Sequence, residues 1–256
     1  DSGELNVSTD NPNITNTTYG VINTNGGIVN FYDGIISGTT DAINGTINEV
    51  EDGYEIISDT TDDGKKSKYL SRLPVAEVES TGDTYYTLQE AIDAATNFKE
   101  VIKLLRRFTT LNTLETTNIS EDKDIILDLN GYTLEQNNEN FLLNNGTLKI
   151  TDSSEDNTGK IVMYTNKSIE NNGVMVIENI NISVNKALSN LINNNDSLKV
   201  NNVKINSSNN ISNFINNSGV LEMNVGEYSI SNGTFIYNLS SGSITMDSIT
   251  TTGNNS

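Results

Sequence analysis

The sequence predicts an all-β chain wound as a right-handed parallel β-helix, a β-solenoid with about three strands per coil of roughly 23 residues. Three observations predict it. One phrase, Asn-Asn-Gly-x-Leu-x-Ile, keeps returning in the second half of the chain, and apolar residues alternate on both sides of it. Asn makes up about one residue in six, while Trp, Cys and His are absent and Pro occurs only twice, a composition suited to repetitive turns.

The repeat can be numbered. With Gly146, Gly173, Asp196, Gly219 and Gly242 taken as equivalent turn positions, the steps are 27, 23, 23 and 23 residues. Two and four residues after each turn stand Leu148 and Ile150, Met175 and Ile177, Leu198 and Val200, Leu221 and Met223, then Ile244 and Met246. That alternation is a half-buried strand. A second apolar pair follows as Ile180 and Ile182, then Val203 and Ile205, with Gly226 and Tyr228 and then Ile249 and Thr251 as weaker versions. Leu142, Ile169, Ile192 and Ile215 share one position before the turn and mark a third short strand. Stacked coils bring equivalent residues about 4.8 Å apart, so Ile150, Ile177, Val200, Met223 and Met246 are expected to form one rung each of a core ladder.

Asn144, Asn171, Asn194 and Asn217 align at one level before the turn, and Asn145, Asn172 and Asn195 at the next. Asn tolerates the left-handed conformation, bonds local backbone, and can pass hydrogen bonds between stacked amides. The first set is therefore expected to be a structural ladder, in preference to a ligand site.

Gly3, Leu5 and Val7, and then Gly27, Val29 and Phe31, match the same phrase, so residues 1–41 read as solenoid coils continuing from an upstream block. From Ala42 the period is lost, and residues 42–74 read as a hairpin spacer or insertion that projects from the coils. Residues 75–256 form a second solenoid block. It opens with a helix near residues 87–96, where Thr87 caps and Glu90 reaches back, and Leu88, Ala91, Ile92 and Ala95 share the face that covers a coil.

With 34 acidic against 15 basic residues the net charge is −19, which opposes nucleic acid and anionic membranes. Without Cys or His the chain lacks disulfides, thiolate metal sites and the usual general base. No cofactor is expected, and Ca²⁺ held by carboxylate and amide oxygens is the one candidate ion. No apolar run is long enough to span a bilayer, and neither an initiating Met nor a signal peptide opens the chain, so it reads as an interior piece of a longer precursor. Neither terminus reads as a cap, so further coils of the same chain or of another copy are expected to stack end to end.

The strings Tyr-Thr-Leu-Gln-Glu-Ala-Ile-Asp-Ala-Ala, Val-Ile-Lys-Leu-Leu and Ile-Ile-Leu-Asp-Leu-Asn-Gly-Tyr-Thr-Leu resemble the opening of pectate-lyase-like β-helices in large adhesin-like surface proteins of low-GC Gram-positive bacteria. The resemblance covers residues 75–256 and implies an extracellular or cell-surface setting, with glycans or surface proteins as partners. Enzymes share the architecture, so function must be argued from a site. A structural and adhesive stalk module is expected, and a β-helix that binds or cleaves polysaccharide is the alternative. Cleavage needs a local cluster of carboxylates, or a base beside Ca²⁺. The best candidates are Asp128, Asn130 and Asp152, each read more simply as a turn or exposed strand residue. The outward row Lys149, Val176, Lys199, Glu222 and Thr245 changes character at each coil, with one expected ion pair, Lys199 to Glu222. Sequons at Asn118, Asn145 and Asn232 follow from composition.

Overall fold

The structure is a computed structural model, and it describes residues 4–8, 11–16, 18–23, 26–109, 116–136, 142–207, 209–230 and 232–253. Gly3 lies outside the described residues. The chain divides into two compact units, Asp1–Leu73 and Pro74–Ser256.

The first unit winds β1 (Glu4–Val7), β2 (Asn13–Asn16) and β3 (Tyr19–Ile22), then β4 (Ile28–Phe31), β5 (Ile35–Gly38) and β6 (Asp41–Asn44), then β7 (Glu49–Val50). β4 lies parallel to β1 and β7, β5 to β2, and β6 to β3. Val7, Val21, Val29, Phe31, Ile36, Ala42 and Ile43 fill its core. Two expectations are corrected here. The coil period does not end at Ala42, because β6 and β7 continue it to Val50. The hairpin formed by β8 (Tyr54–Thr60) and β9 (Lys66–Arg72) does not project, because β9 pairs antiparallel with β5 from Ile35–Tyr69 to Gly38–Lys66. An unpaired parallel edge is a liability, and the reversed strand closes it. The hairpin turn is held by Lys65, which donates from its backbone to Thr61 Oγ1 at 3.1 Å and pairs with Asp63 at 2.7 Å. That ammonium and the Thr61 hydroxyl bring the Asp63 carboxyl down to about 2.

The second unit opens with β10 (Ala76–Val78), β11 (Asp83–Tyr85) and α1 (Leu88–Ala94). Five pieces of coil follow as β12 (Glu100–Leu104), β13 (Phe108–Thr109), β14 (Thr117–Ile119), β15 (Asp124–Asp128) and β16 (Thr133–Gln136). The stack continues through β17 (Leu142–Asn144), β18 (Thr147–Thr151), β19 (Lys160–Met163), β20 (Ile169–Asn171), β21 (Val174–Glu178) and β22 (Asn181–Val184). It ends with β23 (Leu188–Asn194), β24 (Ser197–Ser207), β25 (Ile211–Asn217), β26 (Val220–Ile230), β27 (Thr234–Asn238) and β28 (Ser243–Gly253). One side of the coils stacks β12, β15, β18, β21, β24, β26 and β28 in parallel; a second stacks β13, β16, β19 and β22 onto β24; a third runs β14–β17–β20–β23–β25–β27.

The bend between the first two sides is a single left-handed residue. Asn179, Asn202, Val225 and Ser248 occupy it in successive coils, with φ of 56°, 50°, 44° and 55°. From β24 onward the strand runs through this bend, which merges two sides into one 11-residue strand. The 27-residue step is explained by a longer loop, residues 152–159, in place of that bend.

The first parallel edge of this unit is covered. β10 pairs antiparallel with β12, and α1 buries Leu88, Ala91 and Ile92. The capping box forms, with Glu90 N donating to Thr87 Oγ1 at 3.1 Å and Thr87 N to Glu90 Oε2 at 3.0 Å. The last turn of α1 carries no basic residue, and Lys123 supplies the charge from outside by donating to the carbonyls of Asp93 and Ala95 at 2.9 and 2.6 Å. Gln89 bonds both backbone groups of Asn118 on β14, at 2.8 and 3.1 Å, and so satisfies an edge that has no further strand among the described residues.

Ile150, Ile177, Val200 and Met223 are buried. Met246 is not part of that core: it is 52% exposed, because among the described residues β28 has a partner strand, β26, on one side only.

Candidate functional site

Inside the bend between the third side and the first, the side-chain amides of successive coils point inward. Asn144 Nδ2 donates to Asn171 Oδ1 at 2.8 Å, Asn171 to Asn194 at 2.8 Å, Asn194 to Asn217 at 2.7 Å, and Asn217 to Asn238 at 2.7 Å. The second hydrogen of each of the first four amides goes to a backbone carbonyl of the next coil: Val174, Ser197, Val220 and Ser243 at 2.9–3.2 Å. Asn144, Asn171, Asn194 and Asn217 have no exposed surface. All donors are thus spent on stacking coils, and no face of these amides is left for a ligand. Asn238, the fifth rung, was missed in the sequence because its spacing from Asn217 is 21 residues. At the other end Ile119 stands in register with Asn144, so Asn144 Oδ1 is buried without a partner among the described residues.

The outer Asn row runs with the opposite donor polarity. Asn145 donates to Asn118 Oδ1 at 3.4 Å, Asn172 to Asn145 at 3.0 Å, Asn195 to Asn172 at 2.8 Å, and Ser218 Oγ to Asn195 at 3.0 Å.

The structure brings Asp128 and Asp152 into adjacent turns and surrounds each with donors. Asp128 Oδ1 accepts from the backbones of Asn130 and Ser153, both at 2.9 Å, and its Oδ2 from Ser153 Oγ at 2.5 Å. Asp152 accepts from the backbones of Gly131, Ser154 and Gly159 at 2.7, 3.2 and 2.6 Å, and from Ser154 Oγ at 2.8 Å. Burial raises the Asp152 pKa, but the donors from Gly131, Ser154 and Gly159 outweigh it and hold the carboxyl below its ordinary range. A Cβ at Gly159 would run into the Asp152 carboxylate, so Gly is required there. Asn130 sits at φ 48° and donates to the Leu104 carbonyl at 3.0 Å. A general acid needs a raised pKa, and Asp152 is arranged for the reverse. The other buried carboxylates are likewise engaged, Glu100 by Asn97 at 2.5 Å and Glu135 by Arg107 Nε at 2.6 Å. Among the described residues no three His, Cys, Asp or Glu side chains converge to hold a metal ion.

On the outside of the first side, Lys199 pairs with Glu222 at 2.7 Å, and this contact holds the Glu222 pKa down. Lys149 skips the Val176 opposite it and reaches Glu178 at 2.6 Å, a diagonal pair that alignment by coil does not reveal. On the second side Lys204 and Glu227 pair at 3.2 Å beside a shallow cavity of about 230 Å³ bounded by Asn206, Ser229, Thr250 and Thr252.

The third side carries a different surface. The outward row Leu143, Glu170, Asn193, Asn216 and Tyr237 is in register across β17, β20, β23, β25 and β27. Asn193 donates to Glu170 Oε1 at 2.6 Å and accepts from Asn190 at 2.8 Å and Asn216 at 3.3 Å; Asn213 donates to Asn190 at 2.9 Å. These amides are half-buried, and Tyr237 beside Asn216 is 52% exposed.

The second unit thus defines a β-solenoid held together by polar as well as apolar ladders. No family model, curated protein or solved structure matches the chain.

Proposed function

We propose that the chain is a structural and adhesive module of a long secreted or cell-surface protein, forming part of a stalk or filament by coil stacking. The carrying observation is that each coil repeats the register of the last on all three sides, while the buried amides spend their hydrogen bonds between coils. Such a geometry lengthens by adding coils without a new design at each step. The buried carboxylates support the same reading, since each is engaged by donors of its own unit. The likeness of the opening strings to pectate-lyase-like β-helices of adhesin-like proteins agrees with this role and with an extracellular setting. Among the described residues no helix is long and apolar enough to cross a membrane.

Electron microscopy and light scattering test the stacking, and product analysis after incubation with glycans tests the alternative. Thin particles of uniform width that lengthen with concentration, and uncut glycans, are expected. Particles whose length never changes overturn stacking between copies, and shortened glycan chains restore the polysaccharide-cleaving reading.

A further inference from the structure

We propose that the outward face of the third side, centred on Asn193, Asn216 and Tyr237, is the adhesive surface and binds a neutral, extended polysaccharide. The proposal rests on the adhesive part of the reading above and names its ligand class. Three features carry it.

The first is unspent hydrogen bonding. Asn213 and Asn216 each use an amide hydrogen on a neighbouring coil, and their Oδ1 atoms have no partner among the described residues. Asn190 and Asn193 each donate one amide hydrogen and keep a second. Donors and acceptors therefore alternate along one surface, the pattern that sugar hydroxyls, themselves both donor and acceptor, can match. The bonds among the amides also fix their rotamers, which lowers the entropy lost on binding. The inner ladder differs, since Asn144, Asn171, Asn194 and Asn217 are buried and donate both amide hydrogens to the next coil.

The second feature is Tyr237. Its ring is in register with Asn216 and half exposed at the end of the row, where it offers an apolar face for the C–H side of a sugar ring and a hydroxyl at its rim. Coils repeat at about 4.8 Å, comparable with the advance of one ring in an extended β-linked chain, so a ligand lying along the stack meets Asn193, Asn216 and Tyr237 on three successive rungs, one side chain per ring.

Charge is the third. The chain carries −19 overall, and Glu170 is the charged member of this row, so an anionic polysaccharide is repelled and a neutral one is not. The first and second sides instead present ion pairs, Lys199 with Glu222 and Lys204 with Glu227, whose groups are already matched to each other.

The test is titration calorimetry of the whole chain with cellohexaose and, separately, with polygalacturonate. Binding of cellohexaose and not of polygalacturonate is expected. Tyr237→Ala and Asn216→Ala should each weaken it by about tenfold or more, equivalent to ~1.4 kcal/mol, while Lys204→Ala on the second side should leave it unchanged. Unaltered melting curves show that the variants remain folded, and Tyr237→Ala, at an exposed ring, preserves the test if Asn216→Ala does not fold. No heat with cellohexaose at millimolar concentration overturns the proposal. So does preference for polygalacturonate, or loss of binding with Lys204→Ala but not with Tyr237→Ala. A failure here leaves the stacking result from microscopy standing, and failure of stacking leaves the titration readable.

Discussion

The coils up to Asn217 and the coils that follow solve one packing problem in two ways. In the earlier coils the second inward pair is aliphatic, Ile180 with Ile182 and then Val203 with Ile205, all buried. In the next coil the same two positions hold Gly226 and Tyr228. The register does not change, yet the volume moves from one residue to the other. The Tyr228 ring takes the space a side chain at 226 would fill, and a Cβ on Gly226 would run into the ring. Phe214 and Phe235 complete the cluster, with centroids 5.7 and 5.1 Å from Tyr228. A solenoid therefore specifies the sum of the volumes in a coil more tightly than the residue at each rung. What both regions keep is the inner amide ladder, which continues from Asn194 through Asn217 to Asn238.

If the ladder is what unites the two regions, breaking it should cost most. Asn194→Leu removes the acceptor of Asn171 and leaves Asn217 Oδ1 and the Val220 carbonyl without their donor. At 1–3 kcal/mol for each buried orphan, the unit should lose about 3 kcal/mol and about 10 °C in Tm by calorimetry. Asn195→Leu, one residue along on the exposed row, should change stability by about 0.5 kcal/mol at most. Equal losses for the two would mean that the buried amides hold the coils no better than the exposed ones.

The volume exchange is tested by a double-mutant cycle. Gly226→Val should cost about 2 kcal/mol by overpacking, and Tyr228→Ile a similar amount by leaving a cavity. The double variant restores the pattern of the preceding coil and should recover most of both, a coupling of about 2 kcal/mol. Additive losses would refute the exchange. The same ring carries a pH signature. Its hydroxyl is buried without a partner among the described residues, and burial pushes its pKa from 10 up to about 12. The folded state thus holds the proton more tightly than the unfolded state, so this stability is fully present below about pH 10 and is lost as pH rises toward 12. Tyr228→Phe should flatten the decline in that window, measured by denaturant unfolding at pH 9 and 11.

The stacked coils were legible in the sequence because solenoid order is local: Leu148, Met175, Leu198 and Leu221 repeat at a regular spacing, whereas left-handed Asn residues stand at the bend of Asn179 and Asn202 and not in the Asn rows before the turn. Hairpin pairing was not legible. Whether β9 projects or lies on β5 depends on an antiparallel contact between distant strands, and nothing in the spacing of Ile35 and Tyr69 encodes it. Met246 failed as a core residue because phase reports which way a side chain points, not whether another strand covers it. Asp128 and Asp152 were visible as acids in turns, but the donors that saturate them are mostly backbone groups of Gly131, Ser153 and Gly159, whose direction depends on the fold. The outward amide network on the third side was missed for a related reason. The inner ladder is the most regular Asn row in the sequence, while Asn190, Asn193, Asn213 and Asn216 acquire their relation only when β23 and β25 stack.

The smallest effect concerns the bend that joins the first and second sides. Asn179 and Asn202 enter the left-handed region there at little cost, and Asn202 donates to Asn179 Oδ1 at 2.9 Å. The next coil places Val225 at the same bend with φ 44°. A β-branched residue in that region brings its side chain against the following carbonyl, at a cost of order 1–3 kcal/mol. Val225 is 51% exposed, so little burial is lost when it is replaced. Val225→Asn should therefore stabilise the unit by about 1 kcal/mol, a rise of about 2–4 °C in Tm. It also places an amide where it can donate to Asn202 and lengthen the bend ladder by one rung. Val225→Gly separates the two contributions, because it relieves the strain without supplying the amide and adds flexibility to the unfolded chain. If Asn stabilises and Gly does so less, the ladder explains the difference between the regions at this bend. If Asn fails to stabilise, the strain assigned to Val225 is absorbed elsewhere, and the later coils differ from the earlier ones in their core alone.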